Sequence, residues 1–109
     1  ATGDLLAVWN DIRLAQPKTK KLVDGWVPDS SWGRTPLAAA ISRNEGRSWS
    51  ASRLIEQDAL RGFCYIAIHF VEDAVLLAYC CGGRGSAVLQ DLCVRRIPLA
   101  WFYQDQRPV

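Results

Sequence analysis

Four cysteines and a single histidine are the side chains here with the widest chemical range, and their spacing limits what they can do. Cys64, Cys80, Cys81 and Cys93 form no paired CxxC knuckles, and His69 stands alone, so no metal site and no cofactor are expected. Each cysteine lies in an apolar, strand-like run, where a free thiol packs as a small hydrophobe. The four are therefore read as buried thiols. Cys80 and Cys81 alternate across a strand and should not bond to each other. His69 reads as a hydrogen-bonded structural histidine. The one dense basic run, Lys18 with Lys20 and Lys21, lies beside Pro17 and reads as a solvated loop. A formal charge of +2 with no basic stripe argues against a nucleic-acid partner.

The elements that must position these groups are strands. Within 109 residues the chain has room for one small domain or a portion of a larger one, and half of it is hydrophobic, as in a packed globular protein. Five tryptophans in so short a chain point to core anchors or cleft walls. No charged start followed by an apolar stretch marks a signal peptide. The longest apolar run, Ala74 to Cys81, has strand length and falls far short of the roughly 20 residues a membrane helix needs. No membrane partner is expected, and the compartment is left open.

Six strands are predicted: Asp4–Asn10, Pro36–Ser42, Ser48–Glu56, Phe63–Val71, Ala74–Cys81 and Ala87–Ile97. Residues 11–33 carry prolines, lysines and Asp24–Gly25, and read as a long excursion of the kind that tends to be functional. Gly82, Gly83 and Gly85 form a flexible loop around Arg84. Pro98 opens a short helix through Tyr103, followed by a polar tail. Alternation along Phe63–Val71 places Tyr65 on one strand face with Ala67 and His69, and Cys64, Ile66, Ile68 and Phe70 on the other. The fold class is all-β.

One turn has a recognisable chemistry. In Ser42-Arg43-Asn44-Glu45-Gly46-Arg47-Ser48-Trp49, Asn44 can fold back onto the following amides, Gly46 can take the left-handed position, and Trp49 can tuck beneath the turn. The segment resembles the Asp-box, or BNR repeat, of sialidases, with Asn44 in place of the usual Asp and Ser48 in place of the usual Thr. In that family the box (Ser42, Asn44, Gly46, Ser48 and Trp49 here) is structural.

The surroundings extend the resemblance over roughly Gly3 to Tyr103. Sialidases often place an arginine a few residues before the strand leading into such a box, and Arg34 to Ser42 is similar to that arrangement. The resemblance implies that Arg34 is a clamp for a substrate carboxylate, a task suited to a planar guanidinium donating two parallel hydrogen bonds. After the box, the family sets its tyrosine nucleophile early in the first strand of the next blade, and Gly62 to Ile68 resembles that strand. Tyr65 then holds the nucleophile position, and it needs a neighbouring carboxylate because phenol ionises near pH ~10. Asn10 closes the first strand where sialidases line their rim.

The implied architecture is a portion of a six-bladed β-propeller, about two blades of antiparallel sheet. Residues 4–56 supply strands of one blade with the box at 42–49, residues 63–97 supply strands of the next, and residues 98–109 form a tail. The implied function is glycan processing of the exo-sialidase type. The family's acid/base Asp, its other two arginines and the Glu that activates the tyrosine have no counterpart here, so an isolated copy is expected to be inactive. Copies closing a ring, or the remainder of a longer chain, would have to supply them. The alternative is a non-catalytic carbohydrate-binding or assembly module on the same scaffold.

Overall fold

The computed structural model describes residues 3–11, 20–22, 25–27, 34–58, 60–83 and 89–104. Pro17, Lys18, Asp24, Arg84 and Gly85, named above, lie outside them. Among the described residues, eight strands and one helical turn follow in order: β1 Leu5–Asn10, β2 Lys20–Leu22, β3 Gly25–Val27, β4 Leu37–Ser42, β5 Arg53–Glu56, β6 Cys64–Val71, β7 Ala74–Cys80, β8 Leu92–Pro98 and α1 Leu99–Phe102. The protein is all-β, with two antiparallel three-stranded sheets, β1-β4-β5 and β6-β7-β8, and a two-stranded β2-β3 ribbon.

The ribbon is a departure from the expected loop. Lys20 to Leu22 pair with Val27 to Gly25 within the 11–33 excursion. Strands of three residues, one of them largely basic, carry too little alternation to stand out in a sequence. The predicted strand Ser48–Glu56 is shorter in the structure, beginning only at Arg53. Its first half is diverted into the turn. The Ser50 hydroxyl accepts from the Ile41 amide (3.1 Å) and the Ser50 amide donates to the Ile41 carbonyl (2.8 Å), so a side chain replaces part of the ladder. The sixth strand likewise starts later than read, at Leu92.

The register sorts side chains between the two sheets. Opposite residues of an antiparallel pair share a face. In the first sheet Leu37, Ala39 and Ile41 face inward with Leu6 and Val8, and in the second Val75, Leu77, Tyr79 and Ile97 do the same. Both sets join Ile55, Phe63 and Phe102 in one hydrophobic cluster, so the sheets stack over a common core. Pro98 precedes α1 without a side-chain cap, and the Leu99 amide instead donates to the Asp73 carbonyl at 2.8 Å. That turn carries Phe102 into the end of the core.

A bulge in β6 overturns one expectation. Cys64 pairs with Cys80 but Ala67 pairs with Ala78, so Tyr65 and Ile66 together oppose a single residue of β7. One extra residue inverts the alternation. Cys64 therefore shares the face of Ala67 and His69, and not that of Ile66, Ile68 and Phe70.

The four cysteines are not all thiols, as expected, but one bonded pair and two free residues. Cys93 lies opposite Tyr79, and Cys81 follows Tyr79 by two, so both point to the core side as diagonal neighbours. Their Cα atoms are 6.0 Å apart and they form a disulfide. Cys64 and Cys80 are free and lie on the opposite face.

Candidate functional site

The Ser42–Trp49 turn is held by its short side chains. Ser42 Oγ accepts from the amides of Asn44 (3.3 Å) and Gly46 (2.8 Å) while donating to Asn44 Oδ1 (2.9 Å). Asn44 Oδ1 in turn accepts from the Ser48 amide (2.9 Å), and Asn44 Nδ2 donates to Ser48 Oγ (2.7 Å). Glu45 (φ 63°) and Gly46 (φ 87°) both occupy the left-handed region, which only glycine enters freely. A Cβ at Gly46 would sit 3.9 Å from the Trp49 ring, so the indole does lie against the turn, yet Trp49 stays 46% exposed. It opens onto a concavity of about 400 Å³ shared with Ala7, Trp9 and Ala40.

At the other end of the sheets, three elements meet. Arg34 precedes β4, Asn10 ends β1 and Tyr65 opens β6. The Phe63 amide donates to the Arg34 carbonyl at 2.6 Å, tying the entry to β6 onto the entry to β4. Asn10 Nδ2 donates to the carbonyls of Phe63 (2.9 Å) and Pro36 (3.4 Å), cross-linking the same two entries. Asn10 thus directs its amide hydrogens to the backbone and leaves only Oδ1 for a ligand.

Tyr65 is the bulge residue, with φ 58° and 66% exposure. The bulge turns its ring out of the sheet, and the Arg34 guanidinium carbon lies 5.7 Å from the ring centroid. Arg34 is itself exposed. Far apart in sequence, a guanidinium and a phenol therefore share one open rim. Such a pair can hold an anion by charge-assisted hydrogen bonds while presenting an aromatic face to a sugar ring. His69 is exposed on the strand rather than buried, and no hydrogen bond to it is seen among the described residues.

A second tyrosine site escaped the sequence reading. Tyr79 is 1% exposed in the core, and its hydroxyl donates to Glu56 Oε2 at 2.5 Å. Arg95 Nε donates to the same oxygen at 3.0 Å. Burial, reinforced by the hydrogen bond to Glu56 and its negative charge, pushes the Tyr79 phenol far above its ordinary range. Tyr79 is thus held protonated and out of reach of solvent, a clasp between the sheets and not a nucleophile. The only sequence signal was an acidic residue ending β5, which says nothing about its partner in β7. Among the described residues no cluster of three or more metal-ligating side chains occurs, and no helix is long and apolar enough to cross a membrane.

Scanned against protein-family models, curated proteins and solved structures, the chain matches no family, no curated protein and no known structure.

Proposed function

We propose that this chain is a sialidase-like portion of a β-propeller that takes part in glycan processing, with Arg34 holding the carboxylate of an anionic sugar and Tyr65 at the nucleophile position. The observation that carries the reading is the 5.7 Å approach of the Arg34 guanidinium to the exposed Tyr65 ring. In a retaining glycosidase of this type the phenolic oxygen attacks the anomeric carbon, the aglycone leaves with a proton, and water then cleaves the glycosyl–tyrosine bond. That chemistry needs a carboxylate to take the tyrosine's proton. Glu56 is engaged by Tyr79 and Arg95, and no carboxylate hydrogen-bonds to Tyr65 among the described residues. The base and the remaining arginines would come from other copies or from a longer chain.

The outer faces of both sheets support the blade reading. Leu92 (70% exposed) and Val94 (63%) lie on the face of β6-β7-β8 turned away from the core, as do Leu5 and Trp49 on the β1-β4-β5 side. Apolar surface on both outer faces suits a unit stacked between neighbours. A ring of copies, each adding two sheets, is the proposed assembly.

A non-catalytic carbohydrate-binding role is the second reading, favoured by the lack of a carboxylate on Tyr65 among the described residues. Turnover of a fluorogenic sialoside, abolished in Tyr65→Phe, supports the enzyme. Binding of the sialoside without turnover assigns the module, and neither binding nor turnover by the assembled protein sinks both.

A further inference from the structure

We propose that Cys64 and Cys80 form a thiol-modification site, a cross-strand dithiol that closes to a disulfide by exchange with a low-molecular-weight disulfide. The inference does not depend on the glycan reading. Cys64 and Cys80 are direct partners in the β6–β7 register, and both are free. Directly opposed residues of an antiparallel pair have Cα atoms about 4.5–5.5 Å apart, inside the roughly 4.4–6.8 Å that a disulfide spans. The bond can therefore form without moving the strands.

The two sulfurs are not equivalent. Cys64 is 3% exposed, whereas Cys80 is half-buried and reachable. Burial holds the Cys64 thiol above its ordinary range, with the neighbouring Arg34 guanidinium pulling in the other direction. Cys80 is accordingly the attacking residue and Cys64 the resolving one. The Cys80 thiolate attacks one sulfur of the small disulfide, forming a mixed disulfide and expelling one thiolate. Cys64 then loses its proton to solvent and attacks the Cys80 sulfur, expelling the second thiolate. Two electrons pass from the cysteine pair to the small disulfide, which leaves as two thiols. The Cys81–Cys93 bond lies on the other face of the sheet and takes no part.

The site is built into the rim. Cys64 immediately precedes the bulged Tyr65, so closing the bond anchors the strand from which Tyr65 projects.

The test is incubation of the full chain with oxidised glutathione, followed by acid quench, alkylation of remaining thiols and peptide mass mapping. The expected product is a Cys64–Cys80 cross-link, lighter than the dithiol by two hydrogens. Cys64→Ser should stop at a single glutathione on Cys80, and Cys80→Ser should incorporate glutathione on the order of tenfold more slowly. Phenylarsine oxide, which bridges paired thiols, should bind the wild type one to one and block the cross-link, providing a check that does not depend on the variants folding. A wild type that accumulates stable glutathione adducts, a cross-link mapping to other cysteines, or no arsenical binding would overturn the proposal.

Discussion

Two tyrosines of this protein lie one strand apart, each with an arginine, and they are in opposite physical states. Tyr65 opens β6 on a bulge, is largely exposed and stacks under Arg34. Tyr79 ends β7 in the core, almost without exposure, and is bonded through Glu56 to Arg95. The difference comes from the backbone. At Tyr65 the bulge removes a side chain from the sheet's alternation, while at Tyr79 regular pairing points the ring inward. A buried phenol held as donor to a half-buried carboxylate is locked in its neutral form and contributes to stability. A phenol on a rim contributes little to stability and is available to a ligand. Residue type and an adjacent arginine do not distinguish these roles, but burial does.

The largest effect expected from this contrast is on stability at the buried site. Glu56→Ala leaves the Tyr79 hydroxyl without its acceptor and Arg95 without its partner, and should lower the unfolding free energy by about 2–3 kcal/mol in urea titrations. A loss comparable to that of Tyr65→Phe would collapse the distinction. Next in size is ligand binding at the rim. Removing two charge-assisted hydrogen bonds in Arg34→Ala should weaken sialoside binding by about 10–100-fold. Arg34→Lys should recover only part of it, because an ammonium lacks the planar fork. Affinity unchanged in Arg34→Ala, measured by calorimetry, would remove Arg34 from the site.

Tyr79→Phe should cost about 1 kcal/mol, with a characteristic pH dependence. The Tyr79 phenol is raised above its unfolded value near ~10, so the folded state holds the proton more tightly. Its stabilising contribution is complete below about pH 10 and is lost as pH rises toward the folded-state value. The stability gap between wild type and Tyr79→Phe should therefore be flat through neutral pH and shrink above about pH 10. A gap that widened in alkali would reverse the assignment. The smallest effect is that of Tyr65→Phe, which should change stability by less than about 0.5 kcal/mol, as for an ordinary surface position. Any turnover of a sialoside should disappear in that variant, a split that a merely structural tyrosine would not show.

Much of this arrangement was legible in the residues. Cys64–Val71 and Ala74–Cys80 are strands because β-branched and aromatic side chains suit a pleated surface, and Glu72–Asp73 turns between them, with Glu72 at φ 55°. The box turn was legible because Ser42, Asn44 and Gly46 act within a few residues of one another. Interactions of that range depend on local sequence and little else. The positions of Arg34 and Tyr65 could be named from a resemblance, but their approach could not be measured from it.

Local chemistry thus determined six of the eight described strands, the Ser42–Trp49 turn and the all-β class, since alternation and turn residues act over short spans of chain. Only the tertiary structure decided which side of the sheet each residue occupies. The bulge at Tyr65 shifts parity by one residue, and from it follow the grouping of Cys64 with Cys80 and the exposure of the Tyr65 ring. Tyr79's inward aim follows from its regular pairing in β7, and its acceptor, Glu56, lies 23 residues away in the other sheet. Such outcomes depend on register and on sheet stacking, and both are set by contacts between segments far apart in sequence.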